Sequence, residues 1–258
     1  MFLKKKLNAG KSVMGTMLSL VYNPDVARVF AEAGLDYFIV DCEHGAYTFR
    51  EINSLVSVSK NAGTAVLVRI PQVDRAYVQV LLDIGVEGFM IPGVKSAETM
   101  RETVRLAKYP PMGERGIGGG IVTDFQNVNL PEWIEERNGE VFIMAQIEHR
   151  KAVEDIDAIL GVTGVDAVVF GPRDLSVDLG VTGQVNHPKI FECYEKVYES
   201  ADRLGVTKGF FTGGDASELK WGIERGARVL LWAGDATALM GFISAGVKTA
   251  RSFPGYKT

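Results

Sequence analysis

The sequence predicts a single (β/α)8 barrel of the α/β class, with residues 1–258 forming one domain. Three observations predict it. Short β-branched runs alternate with amphipathic stretches from one end to the other, the pattern of a parallel sheet with helical crossovers. The alternation gives eight strands and eight helices. A chain of 258 residues also suits a barrel, which needs about 250.

The strands fall near 13–18, 37–40, 65–68, 88–91, 142–147, 167–170, 207–211 and 229–232. Helices near 24–33, 49–61, 75–84, 97–108, 152–160, 188–204, 217–225 and after Asp235 fill the intervals. Asn23-Pro24 offers a cap with proline at the first helical position, and Thr48 with Glu51 matches a capping box. Gly34, Gly63, Gly85, Gly205 and Gly226 follow helices, where a left-handed C-terminal residue favours glycine. One connection breaks the rhythm. A long loop insertion at about 109–140 exceeds the usual length and marks either function or an interface. An open doubly wound sheet is the alternative, but Leu18-Ser19-Leu20-Val21 after the first strand lacks the glycine-rich nucleotide turn. The glycine run at 116–120 lacks a following Lys-Ser/Thr and reads as a closely packed or flexible loop.

Composition excludes several classes of function. Hydrophobic residues at 47% supply a substantial core, and charged residues at 23% argue against long disorder. A net charge of -4 disfavours a nucleic-acid partner. The basic cluster Lys4-Lys5-Lys6 reads as a solvated N-terminal face. Cys42 and Cys193 are far apart and lack metal-ligand spacing, which fits a reducing compartment. No apolar run reaches the roughly 18 residues that span a bilayer, and no cleavable signal region opens the chain. The expectation is a cytoplasmic protein with no membrane partner.

In a barrel the active site lies at the C-terminal ends of the strands. Strand two ends Asp41-Cys42-Glu43-His44, strand three ends at Arg69, strand five ends Gln146-Ile147-Glu148-His149, and strand six runs into Gly171-Pro172-Arg173-Asp174. Ionisable groups therefore converge on one rim. Glu148 and Asp174 place two carboxylates at the end of an apolar sheet, a costly arrangement unless a cation or donors neutralise them. Oxygen ligands suit a divalent cation such as Mg²⁺ or Mn²⁺; helix capping is the structural alternative, especially for Asp174. His44 lies three residues after Asp41, where a carboxylate can fix an imidazole tautomer, or it is a solvated loop histidine. Arg69 ends an apolar strand and either pairs with Asp41 or Glu43 or binds a substrate carboxylate. Gln146 contacts substrate or faces the barrel interior. His149 points away from Glu148 by strand alternation and stays outside the site.

Together these segments resemble the HpcH/HpaI family of metal-dependent (class II) 2-oxo-acid aldolases, typified by 4-hydroxy-2-oxoheptanedioate aldolase. The carriers are Asp41-x-Glu43-His44-Gly45, Val68-Arg69-Ile70-Pro71, Ile91-Pro92-Gly93-Val94, Tyr109-Pro110-Pro111-x-Gly113-x-Arg115-Gly116, Gln146-Ile147-Glu148 and Gly171-Pro172-x-Asp174-Leu175-Ser176. The resemblance implies a TIM barrel of the phosphoenolpyruvate/pyruvate-binding type. It implies Glu148 and Asp174 as ligands of Mg²⁺, Mn²⁺ or Co²⁺, chelated in turn by a pyruvate-like substrate. Arg69 would stabilise the keto or enolate oxygen, His44 with Asp41 would assist proton transfer, and Gln146, Gly171 and Pro172 would line the substrate site. The partners implied are a 2-oxo acid, an aldehyde and further copies of the chain, in a homo-oligomer of hexameric type. The activity implied is formation or cleavage of a 4-hydroxy-2-oxo acid through a pyruvate enolate.

Where the family segment carries another arginine after Arg115-Gly116, this chain has Ile121-Val122-Thr123-Asp124-Phe125, which does not favour an acidic aldehyde tail. The alternatives are a related metal-enolate lyase, an oxaloacetate-type decarboxylase, or a non-catalytic oxo-acid-binding barrel. Intact Asp41, His44 and Arg69 argue against the last.

Overall fold

In the computed structural model, which describes residues 2–256, eight parallel strands pair in sequence order and the last closes onto the first. They are β1 (Val13–Leu18), β2 (Tyr37–Asp41), β3 (Ala65–Arg69), β4 (Gly88–Ile91), β5 (Phe142–Ile147), β6 (Ala167–Phe170), β7 (Thr207–Thr212) and β8 (Val229–Gly234). The helices are α1 (Phe2–Asn8), α2 (Val26–Glu32), α3 (Phe49–Ala62), α4 (Arg75–Asp83), α5 (Ala97–Ala107) and α6 (Leu130–Glu140). They continue as α7 (Arg150–Glu154), α8 (Ile156–Leu160), α9 (Pro172–Asp178), α10 (Pro188–Leu204), α11 (Ala216–Glu224) and α12 (Asp235–Ser252). Closure removes every sheet edge, so the doubly wound alternative does not apply.

Side-chain alternation divides the core in two. Tyr37, Ile39, Ala65, Leu67, Phe142, Met144, Ala167 and Val169 point inward and fill the barrel. Phe38, Val40, Val66, Val68, Ile143, Ala145, Val168 and Phe170 point outward and pack under the helices. The interior is tight: a Cβ on Gly15 would lie 2.5 Å from the Tyr37 ring. The cap expected at Asn23-Pro24 does not start α2: the helix begins two residues later at Val26, with Asp25 in the cap position and no side-chain cap bond. At α3 the local signals act as read. Thr48 and Glu51 form the capping box at α3, and Gly63 takes the left-handed conformation (φ 80°) at its end.

Four further features depart from the sequence reading. The Lys4-Lys5-Lys6 face belongs to α1, whose Leu3 and Leu7 sit in the interior cluster and plug the barrel floor. Lys4 pairs with Asp166 at 2.6 Å and Lys6 with Asp36, so only Lys5 of the three is exposed. The insertion is not all loop, because it contains α6. Buried Lys108 fastens it, donating from Nζ to the carbonyls of Asn138 (2.5 Å) and Val141 (2.8 Å). The helix expected over 152–160 splits at Asp155 into α7 and α8. Finally, 121–125 lies beside the N-terminal ends of the strands, where Lys60 meets Asp124 at 3.2 Å, and so does not reach the rim of its own barrel. Among the described residues no helix is long and apolar enough to cross a membrane.

Candidate active site

The inward side chains form layers, and the top layer is polar. On β2 the step Tyr37, Ile39 continues to Asp41; on β3, Ala65, Leu67 leads to Arg69; on β5, Phe142, Met144 leads to Gln146 and then to Glu148 just past the strand. Asp41 and Arg69 are register partners on adjacent strands, which brings them together without any loop.

Arg69 binds Asp41 in a fork: Nε donates to Oδ1 at 2.9 Å and Nη2 to Oδ2 at 2.7 Å. Its Nη1 also lies 3.1 Å from Glu43 Oε2 as a charge contact. A guanidinium has five N–H groups, so these contacts leave one free on each terminal nitrogen. Burial alone would raise the Asp41 carboxyl. The hydrogen bonds and charge of Arg69, with the N–H groups of His44 and Glu43, hold it below the ordinary carboxylate value. Asp41 Oδ1 accepts those N–H groups at 3.2 and 3.1 Å. It thus fixes the turn carrying His44 through backbone, not imidazole. The His44 side chain is 69% exposed, with Nε2 3.8 Å from Glu43 Oε2.

Glu148 is 5% exposed. Its Oε2 accepts the Gly93 N–H at 2.7 Å and its Oε1 accepts Gln146 Nε2 at 2.5 Å. Burial pushes this carboxyl up to about 7; the charges of Glu43 and Asp174 add to the rise, while the Gly93 N–H and Arg69 oppose it. Gly171 closes over it, since a Cβ there would stand 2.3 Å from Glu148 Oε1. Asp174 lies exposed in the first turn of α9 and, unlike Glu148, lines the cavity above this layer. Gln146 Oε1 is buried without a hydrogen-bond partner.

A divalent cation fits these residues. Two acidic side chains with a third nearby concentrate negative charge that the present donors leave uncompensated, and a cation discharges it. Among the described residues no group of three His, Cys, Asp or Glu gathers to hold a metal. Glu148 and Asp174 would therefore be the protein's share of the shell, completed by water or substrate oxygens.

The cavity above this layer measures about 700 Å³ and is lined by Asp41, His44, Arg69, Gln146, Gly171, Pro172 and Asp174, all expected from sequence. His149 stays outside, 3.7 Å from Asp178. Reading the sequence placed Gly93 only within the Ile91-Pro92-Gly93-Val94 segment and missed its contribution, a backbone N–H at φ 60°. It also missed Ser19 and Arg173 in the lining. Arg115, by contrast, is structural: it is buried, pairs with Asp83 at 2.8 Å and stacks on Tyr109 at 4.6 Å, far from this cavity.

Residues 16–232 match the family model described as HpcH/HpaI aldolase/citrate lyase. A crystal structure of an HpcH/HpaI aldolase from Desulfitobacterium hafniense DCB-2 is 73% identical, with a TM-score of 0.98 and full coverage of both chains. A 2-keto-3-deoxy-L-rhamnonate aldolase from Klebsiella pneumoniae is 31% identical over 85% of this chain and 83% of its own. A hydroxypyruvate/pyruvate aldolase from Roseobacter denitrificans is 29% identical over 92% of each chain.

Proposed function

The chain belongs to the HpcH/HpaI aldolase/citrate lyase family, and we propose that within it Glu148 and Asp174 hold the divalent cation on which the reaction depends. It is a class II aldolase, a metal-dependent carbon–carbon lyase acting on 2-oxo acids. One observation carries the assignment of the metal site. Glu148 is a buried carboxyl pushed up to about 7, clamped between Gln146 and Gly93 and raised further by the charge of Asp174, an arrangement that a divalent cation relieves. An all-oxygen donor set supports Mg²⁺ or Mn²⁺, with Co²⁺ as a substitute.

When bound, the cation supplies Lewis-acid withdrawal of electron density from the substrate carbonyl. Arg69 directs its two uncommitted N–H groups at the oxygen where negative charge develops. Asp41 and Glu43 hold that guanidinium in place. His44, exposed at the rim, exchanges the proton at the carbon next to the carbonyl, directly or through one water. Gln146 offers its open Oε1 to the substrate, and Gly171 with Pro172 forms the floor. In cleavage, a 4-hydroxy-2-oxo acid loses its hydroxyl proton and releases an aldehyde; the enolate left behind takes a proton to give the 2-oxo acid.

A homo-oligomer, in the hexameric form the resemblance implies, draws support from α12. Its Leu239, Met240, Phe242, Ile243 and Val247 are all exposed, an apolar face suited to a second copy of the chain. The two free cysteines support a reducing, cytoplasmic location.

EDTA is expected to abolish carbon–carbon bond formation between pyruvate and an aldehyde, and Mg²⁺ or Mn²⁺ to restore it. Undiminished turnover after chelation would overturn the assignment.

A further inference from the structure

The carboxylates stand at the ends of β5 and β6, and β1 lies four strands from β5 in either direction around the barrel. The β1–β8 side is therefore the wall that faces the metal site across the mouth. Ser19 stands on it. It continues the inward step Val13, Gly15, Met17 and lines the cavity.

One buried side chain pins the turn that carries it. Asp235, 5% exposed, accepts from Ser19 N and Ser19 Oγ at 3.1 Å each and from Ala236 N at 2.8 Å, all through Oδ1. Its Oδ2 accepts the N–H groups of Leu20 and Val21, both at 2.8 Å. A carboxylate has no proton to give, so Ser19 must direct its single O–H at Asp235. What remains on Ser19 Oγ is acceptor capacity, open to an occupant of the cavity. The side chain behind it is anionic, and Glu218 is a further acid in the cavity lining beside Asp41 and Asp174; the cations Arg69 and Arg173 are on β3 and at the start of α9, away from this wall. The wall thus welcomes a neutral hydroxyl donor and repels a negative tail.

We propose that Ser19, held as an acceptor by Asp235, is a specificity-determining residue of the acceptor-aldehyde subsite. It selects short, uncharged, hydroxylated aldehydes over alkyl and acidic ones. This assignment rests on the aldolase reading above and adds the chemistry of the second substrate to it.

The test is an aldehyde series with pyruvate and Mg²⁺: glycolaldehyde, its near-isostere propanal, and the acidic succinic semialdehyde. The wild-type protein is expected to give the highest kcat/KM with glycolaldehyde. Ser19→Ala is expected to lower the glycolaldehyde-to-propanal ratio about tenfold, the worth of one hydrogen bond to a neutral partner. Asp235→Asn, whose amide nitrogen must face either the N–H groups of Ser19 and Ala236 or those of Leu20 and Val21, loosens the turn that aims Ser19 and is expected to lower the same ratio. A ratio unmoved in Ser19→Ala overturns the assignment, as does a wild-type preference for succinic semialdehyde. Exchange of deuterium into the pyruvate methyl group, measured on the wild type, separates the two failures. Exchange with an unmoved ratio removes only the Ser19 subsite, whereas no exchange and no bond formation with any aldehyde removes the aldolase reading and this one with it.

Discussion

Gly171 sets how closely the backbone approaches Glu148, one of the two proposed metal ligands. Its backbone sits at φ -101°, open to any residue, so alanine there brings no strain of its own. The added Cβ instead meets Glu148 Oε1 at 2.3 Å and Gln146 Nε2 at 2.9 Å. Gly171→Ala is expected to fold normally yet lose roughly tenfold to a hundredfold in metal affinity and kcat/KM, the usual scale for disturbing a ligand's support. Mn²⁺ titration beside a thermal melt checks both halves; wild-type affinity would show that Glu148 is not where the cation binds. Arg69 gives a second residue-level prediction. Arg69→Lys keeps the charge but loses the fork on Asp41, so kcat is expected to fall about a hundredfold, about 3 kcal/mol. These roles were only partly legible in the sequence. Asp41, Arg69, Gln146 and Glu148 follow from counting inward positions along strands. The fork between Asp41 and Arg69 needs strand register, and the Gly93 donor is backbone, which residue identity does not announce.

At the level of elements, strands were read to within two residues, because each apolar run is bounded by glycines, capping residues or acidic strand ends. The failures were short or interrupted helices. With seven residues, α1 is too short to show a helical period, and its Leu3 and Leu7 gain meaning only beneath a closed barrel. The insertion hid α6 because its anchor is a buried lysine, a residue that composition assigns to the surface. Lys108 makes that anchor testable. Burial pulls its amine down to about 8, aided by the charges of Lys4 and Arg115 and opposed by Asp166, and a neutral amine still satisfies the two carbonyls it bonds. The unfolded chain keeps the ordinary value near 10.5, so it binds more protons than the folded chain between about 8 and 10.5, and stability rises with pH across that window. Urea unfolding at pH 7.5 and 10 is expected to show this increment in the wild type and not in Lys108→Met. Parallel pH profiles for the two proteins would contradict it.

For the whole molecule, the barrel was legible in the sequence and the fate of its last helix was not. A helix after Asp235 is expected from the sequence, but not that its Phe242 is 85% exposed and its Met240 69% exposed. Sequence pattern marks a face as apolar without saying whose surface covers it. If that surface is a second copy, Phe242→Asp with Met240→Glu is expected to shift the mass in light scattering toward smaller species while circular dichroism stays unchanged; an unaltered mass would remove α12 from the interface. The same barrel gathers Asp41, Arg69, Glu148 and Asp174 at and just past the C-terminal ends of its strands, and the central claim is that Glu148 and Asp174 there hold the cation that lets a 2-oxo acid enolise. Proton NMR of pyruvate in D2O measures it most directly. The account predicts steady loss of the methyl signal with wild-type protein and Mg²⁺, and none with EDTA or with the Glu148→Gln, Asp174→Asn double variant. Exchange at the wild-type rate in that double variant would contradict it.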